Sequence, residues 1–175
     1  MRTTTACLLA IGTFYFGTAQ PVDRMKTIHI EPVEVTAKNM EYLKNIQDPN
    51  TPRPVKALEY RVAKYNLHQD SRFTKDLDLY EVVFVDGTNG NGYIRAQFDK
   101  AGKVLASNEK FDAITPPFEV RNAIFKEHPG WDLYSSSYEV SYGYGKEPKK
   151  LYKVKLRKDR SKKNLKLDAQ GNYLK

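Results

Sequence analysis

Residues 79–105 read LYEVVFVDGTNGNGYIRAQFDKAGKVL, and this stretch decides the fold class. Residues 79–85 (LYEVVFV) are strand formers, residues 86–92 (DGTNGNG) make a glycine-rich loop, and residues 93–98 (YIRAQF) return as a second strand. Asp99-Lys100-Ala101-Gly102 then turns the chain into Lys103-Val104-Leu105. Tight returns of this kind join antiparallel strands, because parallel neighbours need a crossover of about a dozen residues or more. Upstream, Pro54 suits a first helical position. Val55, Leu58, Val62 and Tyr65 recur at three- and four-residue steps, which predicts an amphipathic helix of about three turns.

The same order returns downstream. Pro116-Pro117 opens a second helix carrying Phe118, Val120, Ala123, Ile124 and Phe125, and His128-Pro129-Gly130 stops it. Residues 131–144 are rich in strand formers, with Tyr138, Val140, Tyr142 and Tyr144 assigned to one face. Ser135-Ser136-Ser137 shifts the parity between Leu133 and Tyr138 and predicts a strand bend. Residues 151–157 (LYKVKLR) and 164–167 form another hairpin. Leu79-Tyr80-x-Val82 matches Leu151-Tyr152-x-Val154, and Phe98-Asp-x-x-Gly102-x-Val104-Leu105 matches Leu167-Asp-x-x-Gly171-x-Tyr173-Leu174, at offsets of 72 and 69 residues. The expectation is an α+β protein of two repeats, at 54–110 and 111–175, each a helix packed on an antiparallel sheet, with Trp131 near the second helix.

Residues 20–53 are less regular. Ile28, Ile30, Val33 and Val35 suggest a strand whose alternation shifts at Pro32, as at an edge or bulge. Residues 39–47 fit a strand or a short helix, and residues 48–54 (DPNTPRP) read as a linker. Residues 1–19 have the order of a secretory signal: Met1-Arg2, the apolar run ACLLAIGTFYF at 6–16, then Gly17-Thr18-Ala19. That run is shorter than the roughly 20 residues of a membrane span. Cleavage after Ala19 yields a periplasmic or secreted chain, removes Cys7, and leaves no thiol for disulfides or metal sites.

The run PPFEVRNAIFKEHPGW (116–131), followed by LYKVKL (151–156) and LDAQGNYL (167–174), is similar to the PepSY-like family of exported Bacteroidetes-type proteins. That family is related in fold to the β-lactamase-inhibitor-protein repeat. The resemblance covers residues 54–175 and rests on structural motifs. It implies a non-catalytic envelope domain that binds or inhibits something, and it carries over no contact residues.

Motifs for chemistry are few. His29, His68 and His128 are isolated, and His128 suits a helix end where a cation complements the dipole. Residues 86–92 differ from a calcium loop, with Asp86, Thr88 and Gly90 at the first ligand positions and Gln97 at the twelfth. The enzyme alternative is a nucleotidyltransferase of the nicotinate-nucleotide adenylyltransferase type. No His-x-x-His, Walker loop or Gly-x-Gly-x-x-Gly supports it, and export would separate the chain from ATP. No cofactor, metal or nucleic acid is expected.

Charge is the remaining signal. Residues 146–166 hold 11 Lys and Arg against Glu147 and Asp159. Alternation in 151–157 sends Tyr152, Val154 and Leu156 one way and Lys153, Lys155 and Arg157 the other. The expected binding face comprises Lys153, Lys155, Arg157, Lys162, Lys163 and Lys166 with Tyr142 and Tyr144. An acidic protein or envelope glycan is its expected partner.

Overall fold

The computed structural model of the chain describes residues 37–87 and 91–175. The expected signal sequence with Cys7, the strand at 28–35, His29 and the loop residues Thr88, Asn89 and Gly90 lie outside the described residues. The elements run α1 (Ala37–Ile46), α2 (Arg53–Lys64), β1 (Leu79–Val85), β2 (Gly92–Asp99), β3 (Val104–Asp112), α3 (Phe118–Glu127), β4 (Asp132–Gly143), β5 (Lys149–Lys158) and β6 (Ser161–Leu167). A 3-10 turn, Leu67–Gln69, follows α2.

All six strands form one antiparallel sheet in the order β1 to β6, so each strand pairs with its sequence neighbour. The class is α+β. Four of the five links are short turns or loops, as antiparallel neighbours allow, while the β3–β4 link carries α3. The strand and helix that residues 39–47 left open resolve as helix α1. Tyr42, Leu43 and Ile46 are buried while Glu41, Lys44 and Asn45 are exposed, a spacing only a helix places on one side. In α2, Val55, Leu58 and Val62 are buried and Pro54 sits at the helix start. In α3 the buried pair is Val120 and Ile124, whereas Phe118 and Phe125 are exposed. One core unites helices and sheet, with Phe98, Phe111, Tyr138, Tyr152 and Leu167 fully buried on the sheet's inner face. On the opposite face Arg95, Asn108, Ser141, Lys153 and Lys155 are exposed.

The matched sequence motifs fold alike. Asp99 Oδ1 accepts from the backbone N–H of Ala101 and Lys103, and Asp168 Oδ1 accepts from those of Gln170 and Asn172. Gly102 and Gly171 complete these turns at φ +78° and +86°. Registers agree as well, since Tyr80 faces Phe98 as Tyr152 faces Leu167. The β1–β2 and β5–β6 hairpins thus agree in register and in the turn that follows each. Strand β4, paired to the other side of β5, has no counterpart beside β1 among the described residues. β3 and β4 pair across the 110/111 boundary, so the halves share one sheet.

The parity shift at Ser135-Ser136-Ser137 appears as a register break between Leu133 and Ser135. Trp131 is half-buried against the core, with its ring centroid 6.2 Å from that of His128, the cap of α3. Tyr144 departs from expectation. It lies beyond the end of β4 and is 45% exposed, whereas Tyr138, Val140 and Tyr142 point into the core.

Candidate functional site

The outer face of the last hairpin carries five of the expected basic residues. Register places Lys153 opposite Lys166, Lys155 opposite Asn164, and Arg157 opposite Lys162. Side chains directly opposite lie on the same face, so two like-charged pairs stand side by side. Glu139 on β4 accepts from Lys153 Nζ at 2.6 Å. The Arg157 guanidinium lies 5.8 Å from the Tyr134 ring.

The other expected members fall elsewhere. Lys163 pairs with the buried Leu156 and therefore projects from the helix-bearing face, where its Nζ lies 5.2 Å above the Trp131 ring. Parity with Leu165 and Leu167 dictates this. Tyr142 is 4% exposed and packs edge-on to Tyr42, with ring centroids 5.1 Å apart. Tyr144 is exposed but belongs to another patch, under Lys103 Nζ at 3.3 Å from its ring.

A second constellation was not anticipated. Glu59 on α2 and Glu109 on β3 are 0% and 3% exposed, in the centre of the protein. Tyr42 Oη and Ser107 Oγ donate to Glu109 Oε1 at 2.9 and 2.8 Å. Neither oxygen of Glu59 has a partner in hydrogen-bond geometry among the described residues, nor does Oε2 of Glu109 or the Tyr142 hydroxyl. Loss of water raises both carboxyls well above the ordinary carboxylate range, and for Glu109 the neighbouring Glu59 charge adds to the shift. The same burial lifts the Tyr42 hydroxyl.

Lys150, on the sheet row of Glu109, is a cation whose charge acts on Glu59, but it is paired with Asp48. Burial alone would raise the Asp48 carboxyl, yet the hydrogen bond and charge of Lys150 hold it below its usual value. Two facing carboxyls without a buried cation of their own must keep at least one proton between them at neutral pH. Both side chains are shut off from solvent, so the pair holds protons inside the fold.

Spacing could have found both residues. Glu59 lies four residues after Val55 and three before Val62, within the apolar stripe of α2. Glu109 alternates with Ser107 and Phe111 on the inner face of β3.

No group of three or more metal-ligating side chains occurs among the described residues. Nor does any helix among them have the length and apolarity to cross a membrane. No family model and no curated protein matches the chain. Among solved structures it is similar to a DUF2874 family protein from Bacteroides ovatus, at 18% identity and a TM-score of 0.33, over 58% of this chain and 70% of that one.

Proposed function

We propose that this chain is an exported, non-enzymatic binding module of the cell envelope, built as two PepSY-like, inhibitor-like repeats. On this reading, its partner is a carboxylate-rich surface held on the outer face of β5–β6. The repeat reading draws support from the matching Asp-x-x-Gly turns and hairpin registers.

One observation carries the binding reading: Lys153 faces Lys166 and Arg157 faces Lys162, with Glu139 the acid bonded to this face. Like charges directly opposite each other destabilise a sheet by a few tenths of a kcal/mol or more per pair. An acidic partner relieves that repulsion, and the field of the patch steers it in.

The test replaces Lys153, Lys155 and Arg157 together with Ser. Binding to polygalacturonate and to polyglutamate is then measured at low and physiological salt. The wild-type chain should bind at least one polyanion and lose most of that binding as salt rises, since exposed charges are screened over about 8 Å. The triple variant should lose it at both salts. Preference for polygalacturonate points to a glycan, and preference for polyglutamate to an acidic protein. Equal binding by a folded triple variant refutes the reading.

A further inference from the structure

We propose that the open edge of β1 pairs with β1 of a second copy of this chain, antiparallel and centred on Val82, joining two six-stranded sheets edge to edge.

The backbone is presented for it. Asp86 N–H donates to Gly92 O at 2.9 Å, so alternate positions of β1 bond to β2 and those between face outward. Arg61 Nη1, reaching Val85 O at 3.1 Å from α2, marks the outward set. Among the described residues nothing hydrogen-bonds the outward backbone of Leu79, Glu81 or Val83.

The two sheet edges are guarded unequally. β1 contains no Lys, Arg or Pro, and Leu79, Val83 and Val85 are 50%, 51% and 53% exposed. β6 carries Lys162, Lys163 and Lys166. Lysine on an edge discourages pairing with another chain. Self-pairing of β6 about Asn164 would set Lys162 against Lys166 on both sides of the axis. One edge that self-associates and one that repels itself give a closed pair of chains rather than a fibre.

The fold's own internal match shows what such an edge accepts. Strand β5, whose hairpin matches that of β1 in register, has β4 on its far side. The equivalent side of β1 is an open groove of about 470 Å³ lined by Tyr65, Phe73, Leu77 and Val82.

Self-complementarity selects a second copy as the occupant. Centred on Val82, the pairing sets Leu79 against Val85, Tyr80 against Phe84 and Glu81 against Val83, with no like charges opposed. Centring on Glu81 would oppose two glutamates. Arg61 lies at the Val85 end, and Asp76 and Asp78 precede Leu79 at the other, Asp78 with Lys100 Nζ 3.4 Å away. Antiparallel pairing therefore brings Arg61 of each copy toward the acidic end of its partner's strand.

The experiment uses the whole chain carrying Cys7→Ser, with a cysteine added at Val82 or at Val85. At the axis the two Val82 positions form a non-hydrogen-bonded pair, with Cα atoms about 4.5 Å apart, within disulfide reach. The two Val85 positions lie about 20 Å apart. Mild oxidation should cross-link Val82→Cys and leave Val85→Cys unlinked, although Val85 is the more exposed. Sedimentation of the Cys7→Ser chain should give twice the monomer mass, and Arg61→Glu should shift it toward monomer. A monomer throughout the micromolar range, or cross-linking of Val85→Cys as fast as Val82→Cys, overturns the proposal. Circular dichroism on each variant confirms that it is folded before it is scored.

Discussion

Replacing Glu59 with Gln should make the protein more stable in alkaline solution and leave it almost unchanged in mild acid. The folded chain holds the Glu59 and Glu109 carboxyls at about 7 and about 8, against 4.5 for an ordinary glutamate. Between these limits the folded state binds more protons than the unfolded one, so stability falls as pH rises. Below about pH 4.5 both states are protonated and nothing is lost. Above about 8 the loss is complete. One pKa unit corresponds to about 1.4 kcal/mol, so moving one carboxyl from 4.5 to about 7 costs the fold roughly 3 kcal/mol at pH 9. That is a large share of the 5–15 kcal/mol of a typical domain.

Glutamine keeps the size and polarity of Glu59 but removes both its charge and the repulsion it exerts on Glu109. The assay is urea unfolding of wild type and Glu59→Gln from pH 5 to 9. The difference between the two curves cancels every titrating group they share except Glu109, whose carboxyl is also relieved of the Glu59 charge. The variant should match wild type within about 1 kcal/mol at pH 5 and exceed it by about 3 kcal/mol at pH 9. A wild-type curve flat from pH 5 to 9, or two parallel curves, would falsify the shared-proton account.

Other outcomes follow from single contacts. Asn39 is fully buried, donates to Gly102 O at 3.1 Å and accepts from Val104 N at 3.0 Å, tying α1 to the β2–β3 turn. Asn39→Ala strands a buried N–H and a carbonyl and should cost about 2–3 kcal/mol in urea unfolding. A Cβ on Gly171 would stand 2.8 Å from Glu119 O, whereas one on Gly145 meets nothing within 4 Å; both have positive φ. Gly171→Ala should therefore lower the urea midpoint clearly more than Gly145→Ala, and equal losses would remove the packing of this turn against α3. If the chain is exported, amino-terminal sequencing of envelope material should begin at Gln20, and recovery of intact Met1 from soluble cytoplasm counts against it.

Much of the fold was written in short-range chemistry. Pro54 and Pro117 start helices because a missing N–H costs nothing there. The Asp-x-x-Gly turns recur because the Asp carboxylate accepts two backbone N–H groups while Gly takes the positive φ. Even the break at Ser135 announced itself as a parity change. These signals act within a few residues, so they define elements and hairpins.

Tertiary structure decided what distant segments do to one another. Alternation sorts a strand into two faces, but only packing says which face a helix covers and how far that cover extends. Lys163 shares its parity with Leu165 and Leu167, so grouping it with the outer basic row by charge overrode its alternation; the structure shows it on the helix-bearing side yet exposed, near the start of β6 where the cover ends. Tyr142 and Tyr144 share parity too, and the end of β4 sends one into the core and the other into solvent. Glu59 and Glu109 lie 50 positions apart; spacing places each on an inward face of its own element, but nothing local says that the two meet. They become a proton-holding pair only when α1 and α2 pack on the sheet and exclude the water that would have kept both ionised.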